Sequence, residues 1–120
     1  MSVFRRPQRL LNAADFSNVF SEPPFRASHQ HCLILAKPNN LHHDRLGLVI
    51  AKKNVRLAVH RNRIKRIVRE SFRHLPRQKR GIDAIVLARR GLGEMGSAEI
   101  RSMVDKQWLR VQKKALSYQS

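Results

Sequence analysis

Residues 58 to 75, AVHRNRIKRIVRESFRHL, lie between two apolar runs, RLGLVIA at 45 to 51 and IDAIVLA at 82 to 88. Within this segment the repeat becomes helical. At 100° per residue Ile64, Ile67, Val68, Ser71, Phe72 and Leu75 share one arc, and Pro76 stops the pattern. That arc must be covered. A helix set between strands that themselves need cover restricts the chain to a layered α and β arrangement.

The remaining segments fit that frame. Asn12 can cap a short helix over 13 to 20, whose Phe16, Val19 and Phe20 share a face. HCLILAK at 31 to 37 and the run at 45 to 51 read as paired strands, with KPNNLHHD between them as a loop and a short strand near Phe25 to Ala27 beside them. The basic helix is expected over 58 to 74, followed by a strand over 82 to 88. Gly91, Gly93 and Gly96 predict a flexible connection to a final helix. Ser97 can cap that helix, with Glu99 in its first turn, Lys113 and Lys114 in its last, and Ile100, Met103, Val104, Trp108 and Val111 forming its apolar stripe. The expected fold is α+β: a small two-layer sandwich of an about four-stranded mixed sheet and three helices, one domain over residues 1 to 120.

The other side of the basic helix points to function. Asn62, Lys65, Arg66, Arg69 and Arg73 cluster opposite the apolar arc, with Arg61 and Arg63 to either side and Glu70 the only acid, able to pair with Arg66 or Arg73. A merely solvated helix face mixes its signs. Arginine outnumbers lysine here, and its planar fork grips phosphate through two bonds and stacks on bases. Lys52, Lys53 and Arg56 precede the helix, close to its positive N-terminal end, where phosphates collect. The whole chain agrees, carrying 25 Lys and Arg against 8 Asp and Glu for a formal charge of +17. Self-repulsion of that size favours a polyanionic partner. Neutralising about six phosphates would make log K fall with log salt at a slope of roughly −4 to −5.

Several function classes recede on the same residues. The single cysteine, Cys32, excludes an internal disulfide and a multi-cysteine zinc site. The longest apolar runs fall far short of the ~20 residues of a membrane span, and MSVFRRPQRLL lacks an apolar signal core, so a cytoplasmic protein is expected. Scattered single acids, Glu70 among them, do not supply the converging carboxylates of two-metal hydrolysis. His29, His31, His42 and His43 lack cysteine or carboxylate partners beyond Asp44, so no protein-bound metal and no catalytic residue is assigned. A ribosomal-type structural RNA-binding protein would use the same cationic strip. A helix-turn-helix DNA reader would pack helix on helix instead of flanking its reading helix with strands.

The stretch RLGLVIAKKNVRLAVHRNRIKRIVRESFR, 45 to 73, resembles the core signature of the bacterial ribonuclease P protein subunit. Its centre is Arg61, Asn62 and Arg63, followed by Lys65, Arg66, Arg69, Glu70 and Phe72 at the family's spacing; RLLNAADFSNVF and DAIVLARRG extend the likeness over most of residues 9 to 91. Some members carry Gly-Asn-Ala where this chain has Arg56, Leu57 and Ala58. The resemblance implies a protein that assists a catalytic RNA in removing 5′ leaders from precursor tRNA, with the RNA supplying the active site and holding most of the Mg2+. It also implies a left-handed crossover around the motif helix, against the general preference. By position it makes Arg61, Asn62, Arg63, Lys65, Arg66, Arg69 and Arg73 RNA contacts. It further implies a leader groove lined by Phe16, Phe20, Cys32, Ile34 and Val49, with Lys52, Lys53 and Arg56 at its edge. The implied partners are the catalytic RNA and precursor tRNA, with no membrane and no obligate protein partner.

Overall fold

In a computed structural model, residues 12–39, 41–76 and 81–119 are described. Residues 9 to 11 of the resemblance lie outside them. The elements run helix α1 (Ala13–Ser21), strands β1 (Phe25–His29), β2 (Cys32–Pro38) and β3 (Arg45–Val49), helix α2 (Ala58–Arg73), strand β4 (Ile82–Ala88), a 3-10 turn (Leu92–Glu94) and helix α3 (Ser97–Gln119). The sheet order is β1-β2-β4-β3, antiparallel except for the parallel β3–β4 pair. No described helix is long and apolar enough to cross a membrane.

The sheet order corrects the expectation that β2 and β3 pair. β4 lies between them, with Ile34 opposite Val86 on one side and Leu48 opposite Val86 on the other. Physically, IDAIVLA is apolar on both faces and buried through most of its length, which is what an interior strand needs. An edge place would leave those groups wet.

Alternation along the strands builds two cores. Phe25, Ala27, Cys32, Ile34, Leu46, Ala84 and Val86 face α2 and α3, meeting Ile64, Val68 and Phe72 from one helix and Ile100, Val104, Trp108 and Val111 from the other. Phe72 and Trp108 close this core with ring centroids 5.4 Å apart. On the opposite face Leu33, Leu35 and Ile85 receive Val19 of α1. Among the described residues that helix is the one element on this face, leaving Phe16, Val49 and Leu87 partly covered.

Local chemistry sets the helix ends. Asn12 caps α1 as expected: its side chain accepts from the Asp15 amide at 2.9 Å, while the Asp15 carboxylate accepts from the Asn12 amide at 3.1 Å. Ser97 does not cap α3. The Gly96 amide donates to Glu99 Oε1 at 3.2 Å and its carbonyl accepts from Ile100 at 3.0 Å, so the cap falls one residue earlier. Ser97 Oγ instead accepts from Arg63. Because α3 continues to Gln119, Lys113 and Lys114 stand before its last turn. The glycine-rich connection is a packed turn rather than a loose one: Leu92 is fully buried, and a Cβ on Gly93 would stand 3.0 Å from Val55. Gly91 adopts φ +96°, a left-handed conformation that glycine takes freely.

Candidate nucleic-acid interface

Helix α2 buries its predicted arc. Ile64, Val68, Ser71 and Phe72 are buried, and Ile67 and Leu75 pack at the margin. Ser71 Oγ also donates to Asp105 of α3, fixing the roll of α2 about its axis. The opposite side must then face solvent.

The seven residues expected there divide into two groups. Asn62, Arg66 and Arg69 are exposed and Lys65 is half-buried; none of the four has a side-chain hydrogen bond or ion pair among the described residues. Their donors are therefore uncommitted. Arg61, Arg63 and Arg73 are engaged within the fold. Arg61 Nη1 donates to the carbonyls of Val55 at 3.0 Å and Arg56 at 2.8 Å, tying the turn after β3 to the start of α2. Arg63 donates to the Gly93 carbonyl at 2.9 Å and Ser97 Oγ at 3.2 Å, bracing the start of α3. Arg73 pairs with Glu70, the acid that also accepts from His74 at 2.8 Å. The Arg73 guanidinium, with His74 beside it, holds the Glu70 carboxyl below its usual range. The geometry of all three arginines is set by partners within the fold.

Lys52, Lys53 and Arg56 are exposed in the turn that carries the chain from β3 to α2, whose N-cap residue Leu57 provides no side-chain cap. The first amides of α2 therefore lack a side-chain acceptor among these residues, and the local field favours an anion. Leu57 and Val59 add exposed apolar surface, 51% and 67% accessible.

On the face of the sheet that carries α1, two rings lie beside partly covered apolar side chains. Phe16 and Phe20 stack with centroids 6.4 Å apart, Phe16 half-buried and Phe20 45% exposed. Val49 and Leu87 are only partly covered beneath them. Cys32 and Ile34, expected here, are corrected: both are fully buried in the other core, against α2 and α3. Their neighbours Leu33 and Leu35 face α1 instead. The misassignment is one of parity, because CLILA is apolar at every position and gives no alternation to read. Burial pushes the Cys32 thiol up to about 12, against a smaller opposing effect of Arg89, so it is no nucleophile at neutral pH.

One residue set escaped sequence reasoning. Arg45 donates to both carboxylate oxygens of Asp83, at 2.7 and 2.6 Å, and reaches Asp15 of α1 at 3.2 Å. This clamp ties the N-terminal end of α1 to the sheet. Its members lie 30 and 38 positions apart from Arg45, and nothing in their local sequence announces the contact.

Comparison with known proteins places this geometry. A family model described as Ribonuclease P matches residues 4–112. A Pseudomonas aeruginosa relative named Ribonuclease P protein component is 51% identical over 108 residues, covering 90% of this chain and 80% of its own. One from Saccharophagus degradans, of the same name, is 52% identical over 112 residues, covering 93% and 83%. The RNase P protein of Staphylococcus aureus superposes with a TM-score of 0.69 at 28% identity, covering 89% of this chain and 94% of that one. That of Thermotoga maritima gives 0.65 at 28%, covering 82% and 96%.

Proposed function

The chain belongs to the ribonuclease P protein family, and from that membership we propose how its surfaces divide the work of tRNA 5′ processing. In this reading the outer side of α2 docks on the catalytic RNA, and the groove under α1 holds the single-stranded 5′ leader of precursor tRNA. The observation that carries it is the uncommitted row Asn62, Lys65, Arg66 and Arg69 on a helix whose opposite side is locked into the core. A folded polynucleotide supplies the phosphates that such a row needs.

Across the sheet, Phe16 and Phe20 offer an aromatic platform on which bases of any sequence stack, at roughly 1 to 3 kcal/mol per base. Lys52, Lys53 and Arg56 neutralise phosphates where the groove meets the start of α2. Arg45 positions α1 for this task through Asp15.

The chemistry belongs to the RNA, which also holds the Mg2+ that supports hydrolysis. The carboxylates of Asp15, Asp83, Glu70 and Asp105 are each taken by arginine, which suits a scaffold better than a metal site. The described residues contain no group of three or more His, Cys, Asp or Glu placed to hold a metal ion. By offsetting phosphate repulsion between RNA and substrate, the protein raises substrate affinity and lowers the Mg2+ concentration at which leader removal proceeds. The test is leader removal by a cognate catalytic RNA at low Mg2+ with and without the protein: stimulation is expected, and its absence contradicts the proposal.

A further inference from the structure

A second cationic groove lies at the free edge of the sheet. It has a volume of about 700 Å³ and is lined by Pro24, Phe25, Arg26, Arg110, Lys113, Lys114 and Ser117, with no carboxylate. Phe25 is buried and floors it. Four of these described residues are cations, Arg110, Lys113 and Lys114 on α3 and Arg26 at the β1 rim.

Two of the cations are held in place. Lys114 Nζ donates to the Arg26 carbonyl, and Arg110 Nη1 approaches the Ser28 carbonyl at 3.4 Å. Both carbonyls belong to β1, the edge strand. Their capture blocks the addition of a protein strand at this edge while leaving the charge in the groove. Because Phe25 and Ala27 point toward α3, Arg26 projects toward the face that carries α1. The edge is therefore bracketed by positive charge from both sides.

Strand directions connect the two grooves. Val49 and Leu87 lie opposite one another at one end of the sheet, with Lys52 and Lys53 just beyond. Phe25, Ala36 and Ala84 align three residues from Leu87 along β4. A single strand entering beside Lys52 and running alongside α1 over the same face reaches the β1 edge near Ser28 and Arg26. The crossing takes three inter-strand steps, from β3 through β4 and β2 to β1, a length of about 14 Å.

We infer that the Arg26, Arg110, Lys113 and Lys114 groove binds the phosphodiester backbone of the distal part of the leader, beyond the nucleotides held under α1. The inference rests on the leader reading above. It gives the protein a leader-length dependence: short leaders fill only the first groove, and longer ones gain contact at the β1 edge.

The test measures holoenzyme affinity for mature tRNA and for precursors with leaders of 4 and 12 nucleotides, using the wild-type protein and the R110A/K113A/K114A and K113E variants. Lys113 has no side-chain partner among the described residues, so K113E keeps the test valid if the triple variant folds poorly. The expected result is that wild type binds the longer leader several-fold more tightly than the shorter. Both variants then lose that advantage while binding the short-leader precursor as wild type does. Equal wild-type affinity for the two leaders, or an advantage that survives in K113E, overturns the inference while leaving the leader reading intact. Losses that extend equally to mature tRNA overturn it in favour of a contact with the catalytic RNA or the tRNA body. Wild type that fails to distinguish precursor from mature tRNA overturns both readings.

Discussion

Arg45 shows how much one side chain carries when it joins two elements. Its guanidinium satisfies Asp83, which is 6% exposed, and reaches α1 through Asp15. Hydrogen bonding to Asp83 leads the effects that raise its pKa, so the guanidinium stays charged throughout the working range. Arg45→Ala leaves Asp83 with Asn39 as its remaining side-chain partner and is expected to cost about 3 kcal/mol in urea unfolding, as removing one partner of a largely buried pair does. A loss near zero would show that α1 does not depend on the clamp. Cys32 gives a second residue-scale expectation. Its folded-state pKa of about 12 stands above the ordinary 9.0, so its contribution to stability is intact below pH 9 and is lost as pH rises from there toward 12. At pH 8 its alkylation should track global unfolding; rapid labelling of the native chain would contradict its burial.

Helix α2 was legible almost to the residue, expected over 58 to 74 and observed over Ala58–Arg73, because a strong apolar arc and a stop at Pro76 define it locally. Strand β4 was equally plain. Properties set by distant contacts were hidden: the insertion of β4 between β2 and β3, the face chosen by Cys32 and Ile34, and the diversion of Ser97 from capping to holding Arg63. The same distinction divides the cationic residues. A charge pattern shows which arginines share a helix side and that Glu70 can hold Arg66 or Arg73, but only the folded contacts reveal that Arg61 and Arg63 are committed and that Lys65, Arg66 and Arg69 have no side-chain partner among the described residues. At this scale Arg63→Ala should lower the melting temperature by several degrees through the loss of its bonds to Gly93 and Ser97. Arg66→Ala should leave it within about a degree, as exposed substitutions usually do. Matching thermal shifts would contradict the assignment. Phe20→Ala, removing an exposed ring, should weaken leader-bearing precursor by about 1 to 3 kcal/mol and mature tRNA hardly at all, measured as paired dissociation constants.

For the whole molecule, a formal charge of +17 on 120 residues means that the folded state works against its own repulsion. The melting temperature of the isolated protein should therefore rise by several degrees between about 50 and 500 mM salt, where the Debye length falls from well above 10 Å to a few ångströms. A flat profile would show that the repulsion is already offset within the fold. Bound to RNA, the same charge becomes affinity, and the salt dependence of binding counts the phosphates neutralised. The most direct measurement is that slope for the catalytic RNA, compared between wild type and the R66A/R69A variant at equal folded stability. A decrease in its magnitude of about 2, near 1 for each arginine, is the expected result, with affinity reduced. An unchanged slope would mean that the outer side of α2 does not face the RNA.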